Sequence, residues 1–129
     1  VSNRDGNTDV YLMNSDGSNQ VNLTNHPGQD GILGISWSPA GDQIAFSTDR
    51  DGNHEIYSMD IDGGNLVNLT NDPADDQFPA WSPDGQRIAF ASSRNGSSEI
   101  YIVKTDGTDL INISSNDASD SYPTWAPLY

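Results

Sequence analysis

The chain repeats itself three times, and that repetition limits what it can fold into more than any single motif. Arg4-Asp5-Gly6-Asn7-Thr8-Asp9-Val10-Tyr11 aligns with Arg50-Asp51-Gly52-Asn53-His54-Glu55-Ile56-Tyr57 and with Arg94-Asn95-Gly96-Ser97-Ser98-Glu99-Ile100-Tyr101. Twelve residues after each Tyr stand Leu23-Thr24, Leu69-Thr70 and Ile113-Ser114. Next come Ser36-Trp37-Ser38-Pro39, Ala80-Trp81-Ser82-Pro83 and Thr124-Trp125-Ala126-Pro127, with the tryptophans 44 residues apart. From Tyr to Trp the spacing is 26, 24 and 24, so the first copy carries a two-residue insertion within 31–35. A period of this length marks a repeat architecture, in which one unit cannot bury its apolar face alone and stacks on its neighbours.

Inside each unit, short alternating segments are separated by turn residues, as in an antiparallel sheet. The central copy predicts four strands: 77–82, 87–91, 98–104 and 110–114. The turns between them contain Asp84-Gly85, Asn95-Gly96 and Asp106-Gly107. Asp-Gly and Asn-Gly suit such turns because Gly reaches positive φ and the Asx side chain bonds nearby backbone. No segment with helical period survives this punctuation. The expected fold is all-β, with four antiparallel strands per unit forming one blade of a β-propeller.

The motifs also resemble a known family. Asp-x-x-Pro-x-Trp-Ser-Pro-Asp-Gly-x-x-Ile-Ala-Phe at 76–90, Arg-Asp-Gly-Asn-x-Glu-Ile-Tyr at 50–57 and Asn-Leu-Thr-Asn at 68–71 are similar to the TolB-type WD-like propeller repeat. The resemblance covers essentially the whole chain. It implies an extracytoplasmic setting, periplasmic or secreted, and a role in binding. Such repeats also occur in the propellers of prolyl oligopeptidase-type enzymes and oligogalacturonate lyase-like proteins, so fold alone does not fix function.

Composition taken alone argues the other way. Leu, Ile, Val and Phe make up 25 of 129 residues and the formal charge is −14, a balance typical of disordered chains. The repeat overrules it: the apolar residues sit at strand positions, and Asp16, Asp62, Asp84 and Asp106 each precede a turn glycine. Five cationic residues against nineteen acidic ones leave no basic patch for nucleic acid or anionic lipid. No apolar run is long enough for membrane insertion. Without cysteine there is no disulfide, thiol nucleophile or thiolate zinc site.

The repeat register divides the chain into one propeller segment. Residues 1–30 supply strands c and d of a split blade, 31–75 and 76–115 two full blades, and 116–129 strand a of a split blade. Three blade-equivalents cannot close a ring, since propellers use four to eight. One expectation is a homodimer, two chains closing one six-bladed ring, consistent with the prevalence of two-fold symmetry. The other is a segment of a longer propeller, and the two are compatible.

Three of the five cations, Arg4, Arg50 and Arg94, share one repeat position. They read either as an anion-binding ring or as forks pairing an Asp or carbonyls between adjacent blades. Asp30, Asp76 and Asp120 are also in register, at the start of strand a, which lines the channel of a propeller. Carboxylates gathered there repel one another unless neutralised, and oxygen-only ligands suit Ca2+ or Mg2+. The alternative is that each Asp caps its own strand turn or meets the aligned Arg of a neighbouring blade. Asp5-x-Asn7-x-Asp9 and Asp51-x-Asn53-x-Glu55 superficially resemble the start of a calcium loop, but no Glu follows at the twelfth position, which favours hairpin chemistry. Trp37, Trp81 and Trp125, like Tyr11, Tyr57 and Tyr101, read as inter-blade core rather than sugar platforms.

No catalytic residue is assigned. His26 and His54 occupy different repeat positions, and no serine is paired with a base or set in a Gly-x-Ser-x-Gly elbow. The expected function is a non-catalytic binding scaffold with a protein ligand or a channel cation. The alternative is the propeller part of a peptidase or polysaccharide lyase whose catalytic residues lie outside this chain.

Overall fold

The computed structural model describes residues 1–127, and the end of the expected strand at 116–129 lies outside the described residues at 128 and 129. Ten strands follow in chain order: β1 (Tyr11–Leu12), β2 (Val21–Asn22), β3 (Asp30–Trp37), β4 (Gln43–Thr48), β5 (Glu55–Asp60), β6 (Val67–Asn68), β7 (Asp76–Trp81), β8 (Arg87–Asn95), β9 (Ser97–Lys104) and β10 (Ile111–Asn112). They form two four-stranded sheets, β3-β4-β5-β6 and β7-β8-β9-β10, and one two-stranded sheet, β1-β2. All pairings are antiparallel between consecutive strands. These are two complete blades and the outer half of a third, all-β as the repeat predicts.

The outermost strands are shorter than the alternating pattern suggests. Residues 110–114 read as one strand, yet only Ile111–Asn112 pairs with β9. Asn112 ends the pairing: its side-chain oxygen accepts from the backbone N–H groups of Ser114 and Ser115 at 3.2 and 3.0 Å. Asn22 and Asn68 do the same in the other units. An Asx side chain that satisfies nearby backbone donors competes with the ladder.

The middle strands are buried on both faces. Along β4, Ile44 and Phe46 face the first unit with Val10 and Leu23, while Ala45 turns the other way. Ala45, Ile56 and Leu69 then meet Trp81, Ile88, Phe90, Tyr101 and Val103 of the next blade. The core is thus two successive blade interfaces.

The first strands converge. Phe78 on β7 stacks on Tyr122 of the C-terminal segment, ring centroids 4.0 Å apart. Both residues hold φ near +56°, unusual for bulky side chains, and Phe78 lies where the β7–β8 register shifts between Gln77 and Ala80. Gly34 on β3 lies against this stretch, where an added Cβ would sit 3.0 Å from Pro79 Cδ and 3.1 Å from Phe78 Cα. With φ of +115°, Gly34 lets the inner strands approach, and it lies in the stretch 31–35 that carries the insertion of the first copy.

Candidate functional site

Strand register brings the aligned Arg and Asp together. Asp30 is opposite Thr48, and Asp76 opposite Ser92, so an Arg two residues beyond β4's Thr48, or beyond Ser92 on β8, reaches back to the first strand of its own blade. Arg50 Nη2 lies 3.1 Å from Asp30 Oδ1, and Arg94 Nη2 lies 3.0 Å from Asp76 Oδ2. Each Arg also donates from Nε to the intervening hydroxyl, Thr48 at 3.2 Å or Ser92 at 2.8 Å. The guanidinium of Arg50 lies 4.9 Å from the Tyr57 ring centroid and 5.6 Å from that of Phe46; Arg94 repeats this on Tyr101 and Phe90. Both Asp side chains are fully buried. Each Arg thus meets the first-strand Asp of its own blade, while Arg94 Nη1 also lies 3.8 Å from Asp72 Oδ2 in the loop leaving the preceding blade, so its fork reaches between adjacent blades as well.

The tyrosines complete this arrangement. Tyr57 donates its hydroxyl to Asp51, and Asn95 donates to the Tyr101 hydroxyl at 2.6 Å. Burial, and then the bond to Asp51 with its charge, push the Tyr57 phenol up to about 12. For Asp76, burial raises the carboxyl above its ordinary value despite the bonds from Ser92 and Arg94.

The third copy of this site is divided between the two ends of the chain. Arg4 lies over the Tyr11 ring at 4.3 Å and bonds Ser2 and Gln20, with no carboxylate partner among the described residues. Asp120 accepts from Asn116 Nδ2 at 2.6 Å. Its backbone N–H donates to Ser98 O, as Asp30 does to Thr8 and Asp76 to His54. The segment from Asp120 therefore starts where a first strand would, but among the described residues the strand expected at 116–129 does not form, because no neighbouring strand pairs with it. Asp30 and Asp76 hold guanidinium groups, and among the described residues no three His, Cys, Asp or Glu side chains gather as a metal site.

A second set of aligned carboxylates ends the motifs that resemble a calcium loop. Asp9, Glu55 and Glu99 are buried and tie the chain near the start of β1, β5 and β9 to the loop leaving the blade. Glu55 accepts from Thr70 Oγ1 at 2.5 Å and Asp72 N at 3.0 Å; Glu99 accepts from Ser114 and Asn116 N. Asp9 accepts from Asn22, Thr24, His26 N and Asn7. Asn53 Nδ2 adds bonds to Asp72 O and Ala74 O, so the loop-like motif is a hairpin clamp. The signal was present in the repeat: a hydroxyl residue stands 15 positions after each acid.

The tryptophans differ by what lies beside them. Trp81 is 8% exposed between the two full blades. Trp125 is half-buried on the second full blade and donates from Nε1 to Ala80 O at 2.9 Å. Trp37 is 50% exposed, since no strands a and b of the first unit stand before it. At the other end, Ala89, Ile100, Ile113 and Trp125 line an open groove of about 360 Å³.

The profile of the TolB beta propeller domain matches residues 31–128. A protein assigned as TolB from Agrobacterium tumefaciens superposes with a TM-score of 0.85 and 34% identity, covering 96% of this chain and 44% of that one. TolB from Acinetobacter baumannii gives a TM-score of 0.65 and 25% identity, over 90% of this chain and 29% of that one. A puromycin hydrolase shares the fold at 18% identity and a TM-score of 0.70, over 89% of this chain and 19% of that one. The chain thus spans less than half the length of these relatives. A search of curated proteins returned no match.

Proposed function

The chain belongs to the TolB beta propeller domain family, and from that premise we propose that it is a non-catalytic binding scaffold that completes its ring with a second copy. The observation that carries this reading is the divided third site. Two copies of the repeat hold a buried Arg–Asp pair, while Arg4 and Asp120 stand at opposite ends of the chain without one another. In a two-chain ring, Arg4 of one copy faces Asp120 of the other. The non-catalytic role is supported by the engagement of the aligned charged groups with one another inside each blade. A propeller face formed by inter-strand loops is then the surface for a protein ligand. An extracytoplasmic location accords with family membership, and no helix among the described residues is long and apolar enough to cross a membrane.

A Ca2+ or Mg2+ ion at Asp30, Asp76 and Asp120 is the less supported part, because it must displace Arg50 and Arg94. The enzyme-propeller reading rests on fold likeness at 18% identity and involves no particular residue of this chain. Light scattering with and without EDTA tests the assembly and the ion together. A mass of two chains, unchanged by EDTA, is expected; a folded monomer refutes the dimer, and dissociation by EDTA restores the cation.

A further inference from the structure

We propose that Asn95 is a site of spontaneous deamidation, and that the fold holds a ready place for the aspartate it becomes. Asn95 belongs to a hairpin of the second full blade, and its chemistry is independent of how the ring is completed.

Asn95-Gly96 is the single Asn-Gly pair in the sequence. Asn is a thermolabile residue, and a following glycine leaves the backbone nitrogen between them open to close approach. The pair stands at the tip of the β8–β9 hairpin with both residues exposed. Gly96 has φ of +101°, and open space lies where its Cβ would be. This exposure belongs to the hairpin itself, since Asp51-Gly52 is equally exposed with the following blade in place behind it. Two hydrogen bonds restrain the reactants: Gly96 N donates to Ser93 O at 2.9 Å, and Asn95 Nδ2 donates to the Tyr101 hydroxyl at 2.6 Å. Opening one exposed turn releases both, and such tips open at little cost.

With the turn open, the Gly96 nitrogen loses its proton to solvent base and attacks Asn95 Cγ. The new N–Cγ bond closes a cyclic imide, and the Cγ–Nδ2 bond breaks as ammonia leaves with a proton from water. Water then opens the ring. Breaking the N–Cγ bond restores the main chain with an aspartate side chain. Breaking the bond from the same nitrogen to the Asn95 carbonyl carbon leaves an isoaspartyl link, which lengthens the backbone by one carbon. The sum in either case is amide plus water giving carboxylic acid plus ammonia.

The surroundings fit the aspartate. The equivalent residues are Asp5 and Asp51, which accept the hydroxyl protons of Tyr11 and Tyr57. Tyr101 stands in that place beside Asn95, and the Arg94 guanidinium lies 4.9 Å from its ring centroid, as Arg50 does from Tyr57. An aspartate at 95 accepts from Tyr101 with a cation close by, whereas the longer isoaspartyl backbone disturbs the turn. Because the two products interconvert through the imide, the one the fold holds accumulates. Its charge enters a polar pocket of about 240 Å³ lined by Asn95, Ser97, Glu99 and Asn116. The counterpart in the preceding blade carries Asp51, Glu55 and Asp72, so deamidation brings the third copy towards the acidic form of the second.

The intact chain is incubated in mildly alkaline buffer beside a synthetic peptide of residues 91–101. Chymotrypsin then releases 91–101 from the chain, a segment in which Asn95 is the sole amide side chain. Mass spectrometry and chromatography against the two product standards read both samples. Asn95 in the folded chain should convert more slowly than in the free peptide but ahead of every other asparagine. The ratio of aspartate to isoaspartate should stand about tenfold above that of the peptide, the effect of one hydrogen bond to a charged group. Tyr101→Phe, which keeps the ring and removes the hydroxyl, should return the ratio to the peptide's. Asn95→Asp should melt no lower than the unmodified chain. Failure of Asn95 to convert in the folded chain while the peptide converts overturns the proposal. So does an equal product ratio in chain and peptide, a ratio unchanged by Tyr101→Phe, or a lower melting temperature for Asn95→Asp.

Discussion

The two full blades and the two ends of the chain carry the same repeat residues under different conditions. Met59 is 2% exposed and Met13, at the equivalent position, is 60% exposed. Arg50 and Arg94 are held between an Asp and two aromatic rings, while Arg4 rests on one ring at the surface. Local sequence hardly differs between these sites. What differs is the presence of strands a and b on one side and of a following blade on the other. The repeat motif therefore encodes a set of half-contacts, and burial appears only where the neighbouring strand or blade provides the other half.

Core truncation probes that difference most strongly. Phe90 is fully buried at the interface of the two blades, and Phe90→Ala should cost about 4 kcal/mol, combining lost transfer energy with a cavity. Met13→Ala at the open head should fall within about 0.5 kcal/mol, as exposed substitutions do. Urea unfolding of both variants measures the contrast. A large, concentration-dependent loss for Met13→Ala would break the comparison, since it would mean that the head is covered in solution.

The arginines give the next largest contrast. Arg94→Ala leaves the buried carboxylate of Asp76 without its guanidinium and removes the cation from the Tyr101 and Phe90 rings. Breaking one partner of such a pair costs about 3 kcal/mol. Arg4→Ala, with its neutral and exposed partners, should change stability by less than about 0.5 kcal/mol in a single chain. Equal melting temperatures for the Arg94 variant and the unmodified chain would remove the pair from the list of things that hold the blade together.

Much of this architecture was legible from periodicity, and the reasons for the remainder are physical. Repeat register identified Arg50, Asp30 and Tyr57 as residues with a shared role, because the spacing of equivalent positions is independent of how they pack. Which Asp each Arg would meet depended on strand register and on the kink at Phe78, neither of which the spacing reveals. The brevity of β6 and β10 followed from Asn68 and Asn112 competing for backbone donors, a local chemistry that hydrophobic alternation does not report. Asp9, Glu55 and Glu99 were visible as an aligned column but resembled loop ligands; only their bonds to Asn22, Thr70 and Ser114 show them as clamps.

That clamp supplies the finest test of the comparison, because Asp9 and Glu55 share a repeat position and titrate in opposite directions. Burial disfavours the charged form of both. At Glu55 it outweighs the bonds from Thr70 and Asp72 N and raises the carboxyl above its ordinary 4.5, with Asp76 adding repulsion. At Asp9, bonds from Asn22, Thr24, His26 N and Asn7 outweigh burial and lower the carboxyl below 3.8. A lowered folded pKa gives stability that is complete above the unfolded value and is lost as pH falls through the folded one, so Asp9 should weaken the fold only below about pH 3.8. A raised one gives stability that is complete below the unfolded value and is lost as pH rises through the folded one, so Glu55 should contribute most in mild acid. Carbon-13 titration of the side-chain carboxyls should therefore find Asp9 below and Glu55 above their ordinary values, and Glu55→Gln should remove part of the stability gained on acidifying from pH 7 towards 5. If the two groups titrate together at ordinary values, the head and the full blade hold this clamp alike, and the contrast between them is confined to the apolar faces and the arginines.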